Sequence, residues 1–254
     1  MSEIRNNRDF MKAPDFSAVW KTSDQSKQLP HPAHGNAVTG TLIQLPKFDR
    51  LAPDVTYTDL LNTRRSERAF TDKSLTQEEL AFLLWSAQGI QSFRGADKLG
   101  TLRPVPSAGA RHPIELYAVV QNVKGLASGL YRYAPLEHVG EKLVAVEFLG
   151  AFGDYENRIT NMLSGQRWAS AAPIVLFLSA MPYRTEWRHS TAAHRLILID
   201  VGHVGQNIML SSAALNLGSC CIAVYDQKLC DEALGLDGEN EYVVYVIPVG
   251  VPRR

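Results

Sequence analysis

Runs of apolar and β-branched residues alternate along the chain with segments of helical period. The runs predict strands at residues 115–123, 129–133, 143–148, 173–179 and 241–249, with a shorter strand near 221–225. The alternation within 143–148 is typical of an edge strand, whereas the apolar run 173–179 is typical of a strand covered on both faces. Because strands and helices interleave, the pattern predicts an α/β or α+β body with a mostly antiparallel sheet.

Four segments carry helical signals, at residues 57–62, 77–88, 191–217 and 227–234. A capping box at 76–79 should begin the second helix, and Gly89 should end it. The third helix is apolar nearly all round, so we expect it to run through the core. Its polar residues Asp200, His203 and Asn207 form one stripe, which we expect to meet another helix or subunit rather than to perform catalysis.

The first 53 residues differ from the rest, with scattered prolines and little apolar period. We expect an extended N-terminal arm over residues 1–53, lying on its own chain or around a partner subunit, and one domain over residues 54–254. His31 and His34 could be imagined as a metal pair. Pro32 between them and the lack of nearby carboxylates argue against this, and no metal site is predicted.

Composition narrows the classes of function. The chain has 254 residues, of which 45% are hydrophobic and 20% charged, and its formal net charge is +0. Without a charge excess, binding to nucleic acid or to an anionic membrane surface is not expected. Three cysteines without zinc-type spacing favour a reducing compartment. Polar residues interrupt the most apolar stretch and the N-terminus lacks a secretory pattern, so we expect a cytoplasmic protein without a membrane span.

Two motifs are the strongest candidates for a binding site. Arg64-Arg65-Ser66-Glu67-Arg68 places three guanidinium groups and a hydroxyl within one turn, which is unfavourable unless a polyanion such as phosphate lies among them. Pro106-Ser107-Ala108-Gly109-Ala110 is a turn of small residues, which lets the backbone approach a flat ligand closely. Together they predict a phosphorylated, planar cofactor, and flavin mononucleotide (FMN) fits best.

The motifs, in their order, resemble those of the FMN-dependent nitroreductases, and in particular the SagB-type branch that includes thiazoline and oxazoline dehydrogenases. The resemblance covers residues 60–251. It rests on RRSERAF at 64–70, LLWSAQGI at 83–90, RPVPSAGA at 103–110, GLYRY at 129–133 and DVGHVGQN at 200–207. It implies a three-layer α+β sandwich with a mostly antiparallel central sheet and a long core helix, in an interlocked homodimer with two FMN sites at the subunit interface.

The resemblance also assigns the phosphate end of the cofactor. Arg64, Arg65 and Ser66 would hold the phosphate and the ribityl chain. Arg253 or Arg254, at the C-terminus, would close on the phosphate.

At the flavin ring, the resemblance places Arg68 toward N1 and O2, where a cation stabilises the negative charge of the reduced flavin. The stretch 106–110 would line the ring from the same or the other subunit. The backbone of Ile222 and Ala223 would lie near N5. Family members often have glycine where this chain has Ala223, but a backbone N–H survives that change.

One departure from the branch concerns the base. Azoline-oxidising members share a Lys-Tyr pair shortly before the long helix, and the matching residues here are Arg188 and His189. Arginine cannot serve as a base, so His189 is the candidate proton acceptor.

The resemblance and the absent motifs together give a functional hypothesis. No G-x-G-x-x-G follows a strand and no G-x-x-x-x-G-K-[ST] or G-x-S-x-G occurs. We therefore expect a homodimeric FMN oxidoreductase in which NAD(P)H and a nitroaromatic or quinone acceptor use one open site in turn. One alternative is a dehydrogenase that oxidises a peptide-derived or other small-molecule substrate with oxygen as acceptor. Another is a flavin-binding partner subunit without turnover of its own.

Overall fold

The computed structural model describes residues 2–51, 54–95, 98 and 100–253. Their main element is a seven-stranded antiparallel sheet in the order β1-β6-β5-β4-β7-β9-β8, and β2 and β3 form a separate hairpin. The strands are β1 (Thr41–Leu45), β2 (Ser92–Arg94), β3 (Gly100–Leu102), β4 (Ile114–Val120), β5 (Gly129–Tyr133), β6 (Val144–Gly150), β7 (Ile174–Ala180), β8 (Gly218–Ser219) and β9 (Tyr242–Gly250).

Helices cover both faces of the sheet. They are α1 (Ser2–Phe10), α2 (Phe16–Lys21), α3 (Tyr57–Thr63), α4 (Gln77–Gln88), α5 (Tyr155–Met162), α6 (Pro182–His189), α7 (Ala193–Ala214) and α8 (Gln227–Leu234). Alternate residues of β7 show the layering, because Leu176 packs in the cluster that contains α4 and α7, while Phe177 packs in the cluster that contains α5 and α8. The expected three-layer α+β fold with a mostly antiparallel sheet is confirmed.

Local signals placed most elements within a few residues of their observed bounds. The Thr76 side chain caps α4 by accepting the Glu79 N–H, and the Glu79 carboxylate accepts the Thr76 N–H at 2.7 Å. These two hydrogen bonds form the capping box. Strand β7 is buried along its whole length, as its apolar run predicts. The prediction of a strand near 221–225 was wrong. The chain instead forms β8 at 218–219, and in the predicted range only Ile222 forms a bridge, to Val246.

The segment expected as an extended arm contains helices α1 and α2 and strand β1. Strand β1 pairs with β6, so β6 is an inner strand and not the predicted edge strand. The buried Glu147 of β6 explains the docking, since its carboxylate accepts the backbone N–H groups of Thr39 and Gly40 at 2.7 and 2.5 Å. Arg132 pairs with the same carboxylate. These partners lie more than 90 residues from Thr39, so no local pattern predicts them.

Helix α7 is buried along one side only. Val201, Val204 and Ile208 lie in the core, whereas Leu198 and Ile199 are 53% and 45% exposed. The expected core helix is confirmed, and its outer side presents a partly apolar stripe to solvent.

The described residues contain neither a membrane-spanning helix nor a candidate metal cluster. None of their helices combines the length and hydropathy needed to cross a bilayer. No three of their His, Cys, Asp and Glu side chains are grouped in a way that could hold a metal ion.

The capping box gives a test of the fold. Replacing Thr76 by Ala removes the side-chain acceptor for the Glu79 N–H, and we expect the free energy of unfolding to fall by about 1 kcal/mol. Urea denaturation measures the change. Ser74→Ala is the matched control, since Ser74 is exposed and forms no side-chain hydrogen bond in the described structure. Equal stabilities of the two variants would contradict the capping role.

Candidate functional site

The arginine-rich motif follows α3 as extended chain. Helix α3 ends at Thr63, and beyond it Ser66 bridges to Ser219 of β8 while the Glu67 N–H donates to the Ser219 carbonyl at 3.0 Å. The expectation that 64–68 packs within one turn was therefore wrong. The segment is instead fixed as an added parallel edge beside β8.

The guanidinium groups of the motif lack acidic partners. In the described part of the chain, Arg64, Arg65 and Arg68 form no ion pair with a carboxylate. Arg65 donates to the Arg64 carbonyl at 2.8 Å, and Arg68 lies 5.9 Å from the centre of the Trp168 ring. Three arginines against the single carboxylate of Glu67 leave a net positive charge on these five residues, which favours an anionic ligand.

Gly218 permits this arrangement. A Cβ on Gly218 would lie 2.6 Å from the Cβ of Glu67, so any side chain at 218 would push the segment 64–68 away from β8. The same region borders a cleft of about 440 Å³ between Arg64, Arg65 and the C-terminal half of α7, including Met209 and Ala213. The cleft is open enough to receive a phosphate group and the chain attached to it.

The small-residue turn 106–110 is attached to the other half of α7. The Ser107 hydroxyl and the Ala108 N–H donate to the Asp200 carboxylate at 2.5 and 3.2 Å. Burial raises the pKa of Asp200, while these two hydrogen bonds act to lower it. Gly109 and Ala110 both have positive φ, 63° and 55°, so the loop follows a conformation that larger side chains seldom adopt.

Within one chain the two motifs do not meet. The turn contacts α7 at Asp200, and the arginine segment borders it near Ala213, 13 residues further along. At 1.5 Å per residue these points are about 20 Å apart. The structure therefore places the two predicted parts of the site against different halves of the same helix.

The backbone donors predicted near 222–223 differ from each other. The Ile222 N–H donates to the Val246 carbonyl at 2.8 Å, so it is already used in the sheet. Ala223 is exposed beyond that bridge. The preceding Cys221 lies against α7, where its Sγ would be 3.5 Å from a Cβ on Gly205. Of the two predicted donors, Ala223 remains open to a ligand beside the middle of α7.

The predicted C-terminal contact is only partly described. The Arg253 N–H donates to the Ala69 carbonyl at 2.9 Å, and its side chain donates to the Phe70 carbonyl at 3.3 Å. Its guanidinium borders a groove with Lys73 rather than the cleft of Arg64 and Arg65. Arg254 lies outside the described residues.

His189 ends helix α6 under the N-terminal segment. The Trp20 indole N–H donates to its Nδ1 at 3.4 Å, so the neutral ring carries its proton on Nε2. Nε2 faces the backbone of Gly109, where an added Cβ would lie 2.8 Å away. Burial, followed by the charge of Arg188, lowers the pKa of His189. In this arrangement neither ring nitrogen offers a lone pair to a substrate.

Two supporting residues were not predicted as part of the site. Asp200 was interpreted as part of a polar stripe that meets another helix, but its carboxylate instead accepts the hydroxyl of Ser107 in the turn 106–110. Asn207 of the same stripe does meet α4, where it donates to the Ser86 carbonyl at 2.9 Å. Gly218 carried only the signal of a helix end. Both act through residues about 90 to 150 positions away, so short-range patterns could not reveal them.

Comparison with known proteins agrees with the geometry. The Nitroreductase family model matches residues 61–251. MJ1384 of Methanocaldococcus jannaschii, which is named as a nitroreductase, is 31% identical over 208 residues, or 82% of this chain and 95% of that protein. A crystal structure from Ralstonia eutropha JMP134, also named as a nitroreductase, superposes with a TM-score of 0.66 at 24% identity over 89% of this chain and 95% of that one.

A second curated relative concerns the branch. The trifolitoxin-processing protein TfxB of Rhizobium leguminosarum bv. trifolii is 26% identical over 137 residues, which cover 53% of this chain and 36% of that protein. The fold is that of a nitroreductase-type oxidoreductase. The chain belongs to the nitroreductase family, and the resemblance to its SagB-type branch is supported.

The three cysteines give a test of the environments in which they lie. Burial raises the pKa of Cys221 to about 11 and of Cys230 to about 12, and it also raises the pKa of Cys220. At pH 8 all three should therefore be thiols and react slowly with a disulfide reagent such as DTNB. The same reagent on unfolded protein is the control and should titrate three groups. Rapid labelling of the native protein would contradict the buried placement.

Proposed function

We propose that the protein is an FMN-dependent oxidoreductase that takes hydride from NAD(P)H and passes it to a nitroaromatic, quinone or similar acceptor. The observation that carries the proposal is that Arg64 and Arg65 line an open cleft and form no ion pair in the described structure, although Asp54 and Glu67 also border that cleft. Family membership supports the flavin, since the SagB-type resemblance implies FMN at this motif.

The residues present fit the phosphate end of FMN. Arg64 and Arg65 border the cleft, and Ser66 adds a hydroxyl donor on exposed chain beside them. Each charge-assisted hydrogen bond to a phosphate contributes about 1.5–3 kcal/mol, so two or three are enough for a retained cofactor. Gly218 holds the segment in register against β8.

The residues near the proposed ring have distinct functions. Bound FMN would supply the acceptance and donation of hydride. Arg68 would stabilise negative charge at the N1–O2 end, and the exposed Ala223 would present its N–H near N5. Because the sequence has no dinucleotide-binding motif, the nicotinamide donor and the acceptor would occupy the same space in turn, which is a ping-pong cycle.

The site requires a second copy of the chain. The turn 106–110 and the segment 64–68 lie against different halves of α7, about 20 Å apart. A two-fold homodimer in which the exposed stripe of α7, with Leu198 and Ile199, packs on its partner would bring the turn of one protomer to the arginine segment of the other. The same contact would cover the exposed apolar side chains.

The dehydrogenase alternative depends on His189 as a base. The relative named for trifolitoxin processing motivates this hypothesis. However, Trp20 occupies Nδ1 and the Gly109 backbone lies against Nε2, so proton abstraction would require the N-terminal segment to move away. The reductase is therefore the function that the site supports best. Three free cysteines agree with work in a reducing compartment such as the cytoplasm.

The flavin assignment is tested by the anaerobic visible spectrum of the purified, FMN-reconstituted protein. We expect a flavin band that bleaches on addition of NADH or NADPH. Arg64→Ala should weaken FMN affinity about ten- to hundredfold, because it removes a charge-assisted bond to phosphate. Arg158→Ala on α5, beyond the opposite face of the sheet, is the control and should keep wild-type affinity. Failure of the wild-type protein to bind FMN would refute the proposal.

The dimer is tested separately. Leu198→Glu places a charge in the proposed interface, so the particle mass should fall from twice the chain mass of 28.1 kDa to that mass, with loss of FMN. Light scattering after gel filtration measures both the mass and the retained flavin. Leu229→Glu is the matched control, since Leu229 on α8 is also exposed, at 40%. A monomeric wild-type protein that keeps its flavin would exclude the shared site.

A further inference from the structure

A second basic cleft lies at the end of α7 away from Arg64. It has a volume of about 420 Å³, and its walls include Arg94, Arg111 and Arg188 together with Ser107, Gly109 and Ala110. None of its described lining residues is acidic. In the described part of the chain, neither Arg94 nor Arg188 forms an ion pair with a carboxylate.

Arg188 is held across the small-residue turn. A Cβ on Gly109 would lie 2.6 Å from its Cδ and 2.7 Å from its Nε, so the arginine can cross the loop only because residue 109 is glycine. One guanidinium nitrogen donates to Gln25 at 3.1 Å, and the Gln25 N–H is in turn bound to the Trp187 carbonyl at 2.8 Å. A guanidinium has five N–H donors, so Arg188 keeps further donors for a ligand.

Arg111 forms the buried back of the same cleft. Its Nε donates to the Gly109 carbonyl at 3.0 Å, its guanidinium lies 5.3 Å from the centre of the Trp187 ring, and it contacts His31. Burial and then the charge of Arg188 lower the pKa of Arg111 to about 10. Two cations that oppose each other's charge across one cavity would be stabilised by an anion between them.

We infer that this cleft binds an oxyanion, a carboxylate or phosphate group carried by one of the substrates, and that Arg188 determines the preference for it. The inference rests on the proposed function for its choice of ligand, because the cofactor phosphate is assigned to Arg64 and Arg65. In the proposed dimer the turn 106–110 faces the flavin, so an anion held by Arg188 would orient a substrate beside the ring.

Two matched ligand pairs test the inference by calorimetry. They are 4-nitrobenzoate with 4-nitrobenzamide, which differ by a carboxylate, and NADP⁺ with NAD⁺, which differ by a phosphate and cannot reduce the flavin. We expect the wild-type protein to favour the anionic member of at least one pair. Arg188→Gln should reduce that ratio of dissociation constants about ten- to hundredfold, whereas Arg188→Lys should keep part of it. Arg158→Gln controls for the loss of one surface charge and should leave the ratio unchanged.

The outcomes separate the possible sources of the anion. A preference confined to nitrobenzoate identifies a carboxylate on the acceptor, and one confined to NADP⁺ identifies the phosphate of the nicotinamide nucleotide. Equal binding within both pairs by the wild-type protein, or a ratio that Arg188→Gln leaves intact, would overturn the inference. If Arg188→Gln fails to fold, as thermal unfolding would reveal, Arg94→Gln carries the same comparison.

Calorimetry requires no turnover, so the two proposals fail independently. A protein that discriminates between the ligands of a pair but never bleaches its flavin would retain the anion cleft and lose the reductase function. A protein that bleaches normally but binds both members of each pair equally would retain the reductase and lose the anion cleft.

Discussion

The packing of one face of α7 on the sheet is the constraint on which the candidate site depends. The helix has 22 residues and is thus about 33 Å long, and its buried side includes Val204 and Ile208. The turn 106–110 is attached to its N-terminal half at Asp200, and the segment 64–68 borders its C-terminal half near Ala213. Because a helix cannot shorten, the two motifs stay about 20 Å apart within a chain.

A buried carboxylate fixes the more strained of these attachments. Burial of Asp200 disfavours its charge, and the hydrogen bonds from Ser107 and Ala108 offset that cost. The same bonds hold a loop in which Gly109 and Ala110 have positive φ. Such a conformation costs about 1–3 kcal/mol for a residue other than glycine, so it persists only where surrounding contacts determine it. The resulting backbone is open on one side and can lie close to a planar ligand.

Sequence patterns predicted what local chemistry decides. The capping box of α4, the buried run of β7 and the helical period of α7 depend on neighbours within a few residues, and all were found. Sequence patterns did not predict the extended course of 64–68 or the docking of β1. Each depends on a partner far along the chain, which is Ser219 for the first and Glu147 for the second. The candidate site residues could therefore be proposed from their residue types, whereas their arrangement required the fold.

The electrostatics of the second basic cleft argue for ligand binding over proton transfer. Burial, followed by the charges of Arg188 and Arg111, lowers the pKa of His189, so this environment disfavours the protonated ring. A base in that position would have to accept a proton beside two guanidinium groups, which is unfavourable, and Trp20 already occupies one ring nitrogen. An anion in the cleft would be stabilised, because the same two guanidinium groups attract negative charge. Arginine at position 188 thus suits recognition of an acidic group.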